Sequence, residues 1–448
     1  MREPGEEDLP LRQEYPAQDP RFTVRRVPLS PEEVELYYQG MANRVLWPVS
    51  HYMAEHIEFN PAFMRAYAEV NQRFAAAVLE EAGDDDVIWA HDYHLMLVPQ
   101  AIRQVRPAAT IGYFWHIPWP GMELFRILPW ARRLIQGMLS CDVVGFHVHE
   151  YVRNFLEGAH ALLGAQVHGN RAGWQGRLVR AEAHPIGIDV AGFEHMAASD
   201  EVRREAEALR REIGTEFLVV GIDRLDYTKG ILSRLLAFED FLEQNPAYHG
   251  RVALCQVATP SRTEVESYQL IKREVDEAVG RINGAFASNN WVPVHYRYRT
   301  YSQQELCHFY RAADVALITP LRDGMNLVTQ EFVAATEGGT LVLSELTGAA
   351  HLLPEALLVN PYDQESMVRA MGRALEMSAA EKRQRLRRLK DRVAALDVHR
   401  WAETFLQSLQ GTPPHSARLA VRRWARSVLH ALPGRDASGW SGGASRGS

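Results

Sequence analysis

An apolar run that ends in a charged turn, FLVVGIDRLDYTKG at 217–230, decides the fold of this chain. Its first six residues, Phe217 to Ile222, are apolar or glycine, as in a parallel strand that is buried on both faces. In open α/β sheets, ligands bind outside the carboxyl ends of the strands, where the following helix adds free amides and a positive dipole end. Arg224 and Lys229 emerge at that end, so the turn predicts a site for a diphosphate.

Lysine usage supports a role for the lysine of this turn. The chain has 49 lysine and arginine residues, and its lysines are Lys229, Lys272, Lys382 and Lys390. Because arginine is the usual cation of this chain, a lysine here indicates a need for a compact, rotatable charge beside the forked guanidinium of Arg224. The alternative is a solvated loop lysine.

A second charged turn, LRDGMNLVTQE at 321–331, follows the apolar run at 315–318. Asp323 then lies at the end of a strand, and the amides of residues 324–328 open the next helix toward the ligand. Glu331 lies one turn further and can accept two hydrogen bonds from a ribose diol. As alternatives, Asp323 is only a helix cap and Glu331 is a surface charge.

Two histidine-containing motifs end two strands in the first half of the chain. HDYH at 91–94 follows VIWA at 87–90, and HIPWP at 116–120 follows an apolar run at 110–114. Residues at i and i+3 converge on a helix but not at a strand end, and no glutamate base accompanies these histidines as metallohydrolase motifs require. We therefore predict no metal site.

Composition indicates a large globular protein. The chain has 448 residues, of which 46% are hydrophobic and 23% charged, and this length is enough for two domains. No stretch approaches the ~20 apolar residues of a membrane span. The acidic start differs from a signal peptide, so a cytoplasmic location is expected. The net charge of −7 gives no reason to expect nucleic acid.

The cysteines are expected to be reduced core residues. Cys141, Cys255 and Cys307 lie in or near apolar segments, and their spacing is not that of a metal site.

Strand and helix signals alternate along the chain, which predicts an α/β fold with parallel sheets wrapped by helices. The charged helix at 201–212 separates the two halves. Strands are expected in the first half at 87–90, 110–114 and 143–146, and in the second half near Phe217, Val252, Val315, Thr340 and Leu357. The last helices are expected at 379–395 and 398–409.

Together, these motifs carry a family resemblance. LWP at 46–48, HDYH, HIPWP, the first charged turn, RING at 281–284 and the second charged turn occur in this order. On these residues the chain resembles the trehalose-6-phosphate synthase family of retaining GT-B glycosyltransferases, which move glucose from UDP-glucose to glucose 6-phosphate. The resemblance extends from about Phe22 to Gly411.

The resemblance implies the GT-B architecture, with two Rossmann-like parallel-sheet domains that face a cleft. The acceptor-side domain is expected at 22–195 and the domain that binds the nucleotide sugar at 196–396. A helix at 397–411 is expected to cross back to the first domain.

The resemblance also assigns roles to individual residues. His116 would face the transferred glucose, and Asp92 would hold a hydroxyl of the acceptor sugar. Arg224 and Lys229 would stabilise the diphosphate in place of a metal, and Asp323 would hold hydroxyls of the donor glucose. The other donor-binding residues would be Gly324, Met325, Asn326, Leu327, Val328 and Glu331, with Tyr301 as a weaker candidate for stacking on uracil.

Three further residues match the acceptor pocket. Tyr38 and Trp47 would line it, and Arg262 would reach the acceptor phosphate, whose oxygens a planar guanidinium contacts bidentately. As alternatives, Tyr38 and Trp47 are plain core aromatics and Arg262 is a surface charge.

The implied mechanism is transfer with retention, in which the leaving UDP oxygen takes the acceptor proton on the same face. No dedicated base, metal or cofactor is then needed, because the protein supplies positioning and charge stabilisation. The product would be α,α-trehalose 6-phosphate, and a separate trehalose-phosphate phosphatase would act next. The residues leave open a homo-oligomer, another nucleotide, and another phosphorylated acceptor such as glycerol 3-phosphate.

The amino terminus departs from the family pattern. Relatives begin with an apolar strand that runs into Asn-Arg, then a Gly-Gly loop near the donor phosphates and a Trp-Ser-Gly strand. Residues 1–21 of this chain are acidic and proline-rich, and we expect them to be irregular and the first domain to be incomplete. Three accounts stay open: a start codon assigned too late, a partner polypeptide that supplies the piece, or a degenerate member that binds nucleotide sugar without efficient catalysis.

Residues 412–448 differ in character from the preceding chain. The spacing of apolar residues and arginines from Ala417 to Leu432 predicts a basic amphipathic helix. Such a helix covers its own domain, or alternatively lies on a membrane or a partner. Residues 434–448 are expected to be disordered.

Overall fold

The computed structural model describes residues 10–15, 22–262 and 265–410 of the chain. They form two compact units. The first unit runs to Ile186 and resumes at His399, and the second spans Gly187–Val398. The expected domain limit at 195–196 falls within the helix Val190–Ala197 of the second unit. In the described ranges, no helix is long and apolar enough to cross a membrane.

The first unit is built around a six-stranded sheet. In chain order the strands of this unit are β1 (Arg12–Tyr15), β2 (Phe22–Arg25), β3 (Val87–His91), β4 (Thr110–Phe114), β5 (Val143–Phe146), β6 (Gln166–His168), β7 (Arg171–Trp174) and β8 (Arg177–Ala183). The spatial order of the sheet is β3-β4-β5-β8-β7-β6. Strands β3, β4, β5 and β8 are parallel, whereas β6 and β7 join antiparallel. The three strands predicted in this half are present.

The amino-terminal region corrects one expectation. Residues 12–15, expected to be irregular, form β1, which pairs antiparallel with β2. The ring of Tyr15 stacks on that of Phe22, with the ring centroids 4.8 Å apart. These two strands form a sheet of their own, and most of β1 is exposed. An exposed hairpin requires no apolar run, which is why composition alone did not indicate it.

The second unit contains a fully parallel sheet. Its strands are β9 (Phe217–Arg224), β10 (Val252–Thr259), β11 (Val294–Tyr298), β12 (Val315–Ile318), β13 (Thr340–Ser344) and β14 (Leu357–Val359). The spatial order is β11-β10-β9-β12-β13-β14, so β9 and β12 are central neighbours. The five predicted strands are present. Strand β11 was missed because its VHYRY sequence is half-buried at the sheet edge and lacks a continuous apolar run.

Helices cover both sheets. Those of the first unit are α1 (Pro31–Glu33), a π-helical stretch (Val34–Leu46), α2 (Trp47–Ser50), α3 (Pro61–Glu81), α4 (Val98–Val105), α5 (Met122–Phe125), α6 (Ala131–Met138) and α7 (His149–Leu163). Those of the second are α8 (Val190–Ala197), α9 (Asp200–Ile213), α10 (Ile231–Gln244), α11 (Glu266–Phe286), α12 (Gln303–Ala312), α13 (Leu327–Ala335), α14 (Gln364–Glu376) and α15 (Ala379–Ala395), followed by α16 (Val398–Gln410). Short 3-10 turns lie at Ala54–His56, Tyr227–Lys229, Pro246–Tyr248 and Gly348–His351.

Helix α16 packs on the first sheet through two glycines. A Cβ on Gly112 would meet the Leu409 side chain at 2.5 Å, and one on Gly145 would meet the Phe405 ring at 2.6 Å. These strand positions therefore need glycine so that the apolar face of α16 can approach the sheet. The predicted helices at 379–395 and 398–409 are both present.

The observed architecture confirms the predicted α/β fold with two parallel-sheet domains. The predictions for 412–448, and those for residues 1–9 and 16–21, lie outside the described residues.

Candidate active site

The first charged turn leaves the central strand β9 of the second unit. Within this turn, the Asp226 side chain caps the 3-10 turn Tyr227–Lys229 by accepting a hydrogen bond from the Thr228 amide at 2.9 Å. Gly230 follows with φ of 62°, and a Cβ there would lie 2.5 Å from the Thr319 carbonyl oxygen. Only glycine satisfies both conditions, so the turn is tightly specified between β9 and α10.

The second charged turn leaves β12 and opens α13. Asn326, with φ of 77°, is the cap of this helix, and its side-chain oxygen accepts from the Thr329 amide at 3.0 Å. The amides of Leu327 and Val328 lie in the first turn, where a helix has no partners for its amides. Because the cap is Asn326, the alternative that Asp323 is only a helix cap is wrong.

The two turns meet at one edge of the sheet. Lys229 Nζ lies 2.7 Å from Asp323 Oδ2, and the Leu321 amide donates to the Thr228 carbonyl at 2.8 Å. They meet because β9 and β12 are adjacent parallel strands, whose carboxyl ends lie side by side. Lys229 is 8% exposed, so the alternative of a solvated loop lysine is wrong. Asn326 Nδ2 donates to the same Asp323 oxygen at 3.1 Å.

Glu331 lies inside α13 and is buried. It is 4% exposed, and its Oε2 accepts from the Tyr310 hydroxyl at 2.7 Å. The alternative of a surface charge is therefore wrong, since this carboxylate is held in a fixed orientation. Its role toward a ribose stays a prediction.

Tyr301, the candidate for stacking on uracil, is only 3% exposed. The guanidinium carbon of Arg299 lies 4.2 Å from the centroid of the Tyr301 ring. The Phe309 ring meets the Tyr301 ring edge-on, with the ring centroids 5.0 Å apart. The structure thus places Arg299 over one face of the ring that was expected to meet the base.

A buried ion pair that sequence reasoning missed lies beneath the two turns. Arg234 on α10 is fully buried, and its Nη1 contacts Asp223 Oδ2 at 2.6 Å. The same guanidinium donates to the Thr319 hydroxyl at 3.1 Å, next to the second turn. Burial raises the pKa of Asp223, while Arg234 opposes that rise. The sequence offers one signal, Gly221, because a glycine inside an apolar strand marks a close approach of another group. The structure shows that Arg234 is such a group, since a Cβ on Gly221 would lie 2.6 Å from Arg234 Nη1.

Arg262, the predicted phosphate ligand, is buried near the first turn. It is 6% exposed, so the alternative of a surface charge is wrong. Its Nη1 lies 3.6 Å from Asp226 Oδ2 and donates to the hydroxyl of Tyr268, which in turn donates to Asp226 at 2.8 Å. Burial would raise the pKa of Asp226, but the charges of Arg262, Arg224 and Lys229 hold it at about 2. Asp226 is therefore ionised at neutral pH.

In the first unit, the two histidine motifs converge at the carboxyl ends of β3 and β4. His91 Nδ1 and His116 Nε2 lie 3.0 Å apart, and His147 Nε2 donates to the His116 carbonyl at 3.0 Å. Burial lowers the pKa of His91 to about 4. Burial, together with His91 and His147, also holds the pKa of His116 well below its ordinary range. Both rings are therefore neutral at pH 7 and can hydrogen-bond without carrying charge.

Asp92 directly follows β3 and is held by backbone contacts. Its amide donates to the Phe114 carbonyl at 2.8 Å, and its carbonyl accepts from the Tyr113 hydroxyl. Its Oδ1 accepts from the Tyr93 amide at 2.9 Å. Asp92 and His116 thus end neighbouring strands at one edge of the first sheet.

The two aromatic candidates of the acceptor pocket differ in exposure. Trp47 is 4% exposed and packs on His51 and Tyr93, whereas Tyr38 is half-buried and its ring stacks on His94 with centroids 5.6 Å apart. Core packing accounts for much of the surface of Trp47. Their role toward an acceptor stays a prediction.

Backbone strain is concentrated at the predicted site residues. Positive φ is unfavourable for residues other than glycine and is found where the surrounding structure enforces it, often at functional sites. In the described ranges, five such residues have positive φ, and three of them are Asp92 (67°), Arg262 (46°) and Asn326 (77°). Asp and Asn tolerate the left-handed region better than most residues, so the unfavourable backbone conformation is most significant at Arg262.

Comparison with models of known protein families identifies the family of the chain. The sequence model of glycosyltransferase family 20 matches residues 2–411. The chain belongs to glycosyltransferase family 20. The predicted family is thereby confirmed.

Members of glycosyltransferase family 20 are similar along most of the chain. A bifunctional trehalose-6-phosphate synthase/phosphatase of Thermoproteus tenax is 44% identical over 387 residues, which cover 86% of this chain and 53% of the relative. The chain thus spans about half the length of that bifunctional protein. A UDP-forming α,α-trehalose-phosphate synthase of Pichia angusta is 40% identical over 397 residues, covering 87% of this chain and 84% of the relative.

Solved structures of the family have the same fold. An E. coli trehalose-6-phosphate synthase bound with UDP-2-fluoro glucose superimposes with a TM-score of 0.87 at 35% identity, covering 92% of both chains. A UDP-forming synthase of Burkholderia xenovorans in complex with glucose 6-phosphate gives a TM-score of 0.86 at 34% identity, covering 90% of both chains. These similarities confirm the predicted GT-B fold and the predicted class of enzyme, a UDP-forming glycosyltransferase. The roles of individual residues stay predictions.

Proposed function

We propose that this protein transfers glucose from UDP-glucose to glucose 6-phosphate with retention of configuration, giving α,α-trehalose 6-phosphate and UDP. The observation that carries the proposal is the contact of Lys229 with Asp323 at the carboxyl ends of two central strands. A cation for the leaving diphosphate and a carboxylate for sugar hydroxyls lie side by side there, as this transfer needs. The names and bound ligands of the family members agree with these substrates.

In the proposed reaction, the bond between the anomeric carbon of glucose and the β-phosphate oxygen of UDP breaks. The anomeric hydroxyl of glucose 6-phosphate forms the new bond from the same face, and its proton passes to the departing phosphate oxygen. Because UDP itself accepts the proton, the protein provides no separate base.

Charge stabilisation is assigned to the first turn. Arg224 and Lys229 offset the negative charge that develops on the diphosphate, supported by the first amides of α13. We propose that these groups act in place of a metal ion. Asp323 then exchanges part of its contact with Lys229 for hydrogen bonds to the donor glucose.

Recognition of the acceptor is assigned chiefly to Arg262 and Asp92. Arg262 binds the phosphate of glucose 6-phosphate as a planar, permanently charged fork. Asp92 binds a hydroxyl of the acceptor sugar. The neutral ring of His116 faces the transferred glucose instead, where an imidazole can donate or accept a hydrogen bond. Removal of the phosphate from the product requires a separate phosphatase activity.

The decisive experiment measures UDP release from UDP-glucose by the purified 448-residue chain, with and without glucose 6-phosphate. We expect release that depends on the acceptor, with trehalose 6-phosphate as the sugar product. Binding of UDP without any acceptor-dependent release would instead indicate a nucleotide-sugar-binding protein. Glycerol 3-phosphate in place of glucose 6-phosphate tests the alternative acceptor in the same assay.

A further inference from the structure

We propose that Tyr268 is a positioning residue for recognition of the acceptor phosphate, because its hydroxyl joins Arg262 to Asp226 of the first charged turn. This inference rests on the proposed function. It adds a determinant for the preference of the enzyme for a phosphorylated acceptor.

The first support is a closed set of hydrogen bonds around one hydroxyl. The Tyr268 hydroxyl accepts from Arg262 Nη1 and donates to Asp226 Oδ2 at 2.8 Å, while Arg262 and Asp226 are 3.6 Å apart at their nearest charged atoms. The arginine therefore reaches its carboxylate mainly through the tyrosine. Tyr268 is 2% exposed and Asp226 is fully buried, so water does not compete readily for these contacts.

The second support is that each partner of Arg262 is itself fixed. Asp226 Oδ1 accepts from both the amide and the hydroxyl of Thr228, at 2.9 and 2.8 Å, so the carboxylate cannot rotate. Tyr268 lies in the first turn of α11, and the Tyr227 ring meets its ring edge-on at 5.4 Å. The hydroxyl is thus held by helix α11 on one side and by the first charged turn on the other.

The third support is the conformation of Arg262. Its φ of 46° is unfavourable, and its carbonyl accepts from the Val265 amide at 2.9 Å. An arginine loses much rotamer freedom when it binds a ligand, and holding it in place before binding reduces that loss. The Tyr268 hydroxyl supplies this restraint at the end of the side chain, where the backbone cannot.

Protonation states favour the arrangement at neutral pH. Burial, followed by the charge of Asp226, raises the pKa of Tyr268 well above its ordinary value, so the phenol keeps the proton that it donates. Asp226, with a pKa of about 2, stays ionised and accepts the hydrogen bond that the Tyr268 hydroxyl donates. Arg262 is charged throughout.

The test removes one oxygen atom with Tyr268→Phe and compares binding of glucose 6-phosphate and of UDP by calorimetry, with UDP present in the glucose 6-phosphate titration. We expect affinity for glucose 6-phosphate to fall by roughly five- to tenfold, as when one rotamer-rich side chain has to be ordered on binding, and affinity for UDP to change less than twofold. In turnover, the KM for glucose 6-phosphate should rise about as much, with kcat nearly unchanged. Tyr248→Phe, the same chemical change in a tyrosine that packs on Phe217 and Phe241, is the matched control.

A second comparison asks whether Tyr268 acts through Arg262. If it does, Tyr268→Phe adds almost nothing to the loss caused by Arg262→Ala, whereas independent contributions would add. Equal affinity of the Tyr268→Phe variant and the unaltered protein for glucose 6-phosphate would overturn the inference. So would full additivity, or an equal loss of UDP affinity, since either shows that Tyr268 only supports the structure.

Failure of the proposed function has a different signature. An unaltered protein that binds both ligands and releases no UDP would contradict the proposed function, while the binding comparison would still decide the role of Tyr268. An unaltered protein that does not bind glucose 6-phosphate in the presence of UDP would contradict both.

Discussion

Lys229 Nζ lies 2.7 Å from Asp323 Oδ2, although the two residues belong to turns that are far apart in the sequence. The pair is nearly buried, with side-chain exposures of 10% and 15%. Each charge lowers the cost of burying the other, since an isolated ion in this position would be strongly destabilising. In the proposed reaction, the diphosphate therefore competes with Asp323 for Lys229.

Replacing the lysine tests charge stabilisation of the leaving group. In the Lys229→Ala variant we expect kcat for acceptor-dependent UDP release to fall roughly 10²–10³-fold, the usual effect of removing one preorganised charge-stabilising donor. Lys272→Ala is the control, because Lys272 pairs with Asp276 on the surface of α11. Unchanged turnover in Lys229→Ala would exclude the proposed role.

Replacing the carboxylate separates binding of the diphosphate from transfer of the sugar. In Asp323→Asn, Lys229 loses its counter-ion, so its charge becomes fully available to a diphosphate. We expect UDP to bind several-fold more tightly, whereas transfer from UDP-glucose falls because the amide accepts fewer hydrogen bonds from the sugar. Calorimetry with UDP and a turnover assay measure the two effects. Weaker binding of UDP would show that Asp323 orders the turn rather than competing for Lys229.

The histidine pair predicts how stability depends on pH. Both histidines have folded-state pKa values below the unfolded value of about 6.5, so the unfolded chain binds more protons. The contribution of the two neutral histidines to the free energy of unfolding is therefore fully present above pH 6.5. It is lost as the pH falls from 6.5 toward 4. For His91 alone the full loss is about 3 kcal/mol, from its pKa of about 4.

Denaturant unfolding at several pH values between 7 and 4 measures this slope in the free energy of unfolding. His91→Asn keeps a polar group near His116 but does not titrate in this range, so its slope should be shallower. An identical slope in the variant and the unaltered protein would contradict burial of a neutral His91.

Gly221→Ala tests the buried network beneath the site. The added Cβ would lie 2.5 Å from Gln256 Oε1 and 2.6 Å from Arg234 Nη1, in a region that cannot open to water. We expect the free energy of unfolding to fall by roughly 1–3 kcal/mol, as for other overpacked cores. Thermal and denaturant unfolding measure the change.

The matched control for this variant is Gly280→Ala. Gly280 is exposed on α11, and its Cβ would meet nothing within 4 Å. Alanine should therefore raise stability by roughly 0.5–1 kcal/mol through better helix propensity. Opposite signs for the two glycines are expected, and equal effects would show that the packing around Gly221 is not tight.

Local patterns in the sequence predict the two central strands of the second unit and the location of the candidate site. The short apolar runs at 217–222 and 315–318, each bounded by a charged turn, are typical of parallel strands that are buried on both faces. The charged turns after them predict where a ligand binds, because parallel strands present their carboxyl ends at one edge. Arg224, Lys229 and Asp323 could therefore be predicted as site residues from local sequence alone, and the structure brings Lys229 and Asp323 into contact.

The tertiary structure decided which distant residues meet. Adjacency of β9 and β12 brings Lys229 to Asp323, and no local pattern encodes which strands are neighbours. The supporting residues Arg234 and Tyr268 were not predicted, since a buried arginine or tyrosine on an amphipathic helix has the sequence signature of an ordinary polar or apolar position. Their roles arise only from the carboxylates that the folded sheet places beside them, Asp223 and Asp226.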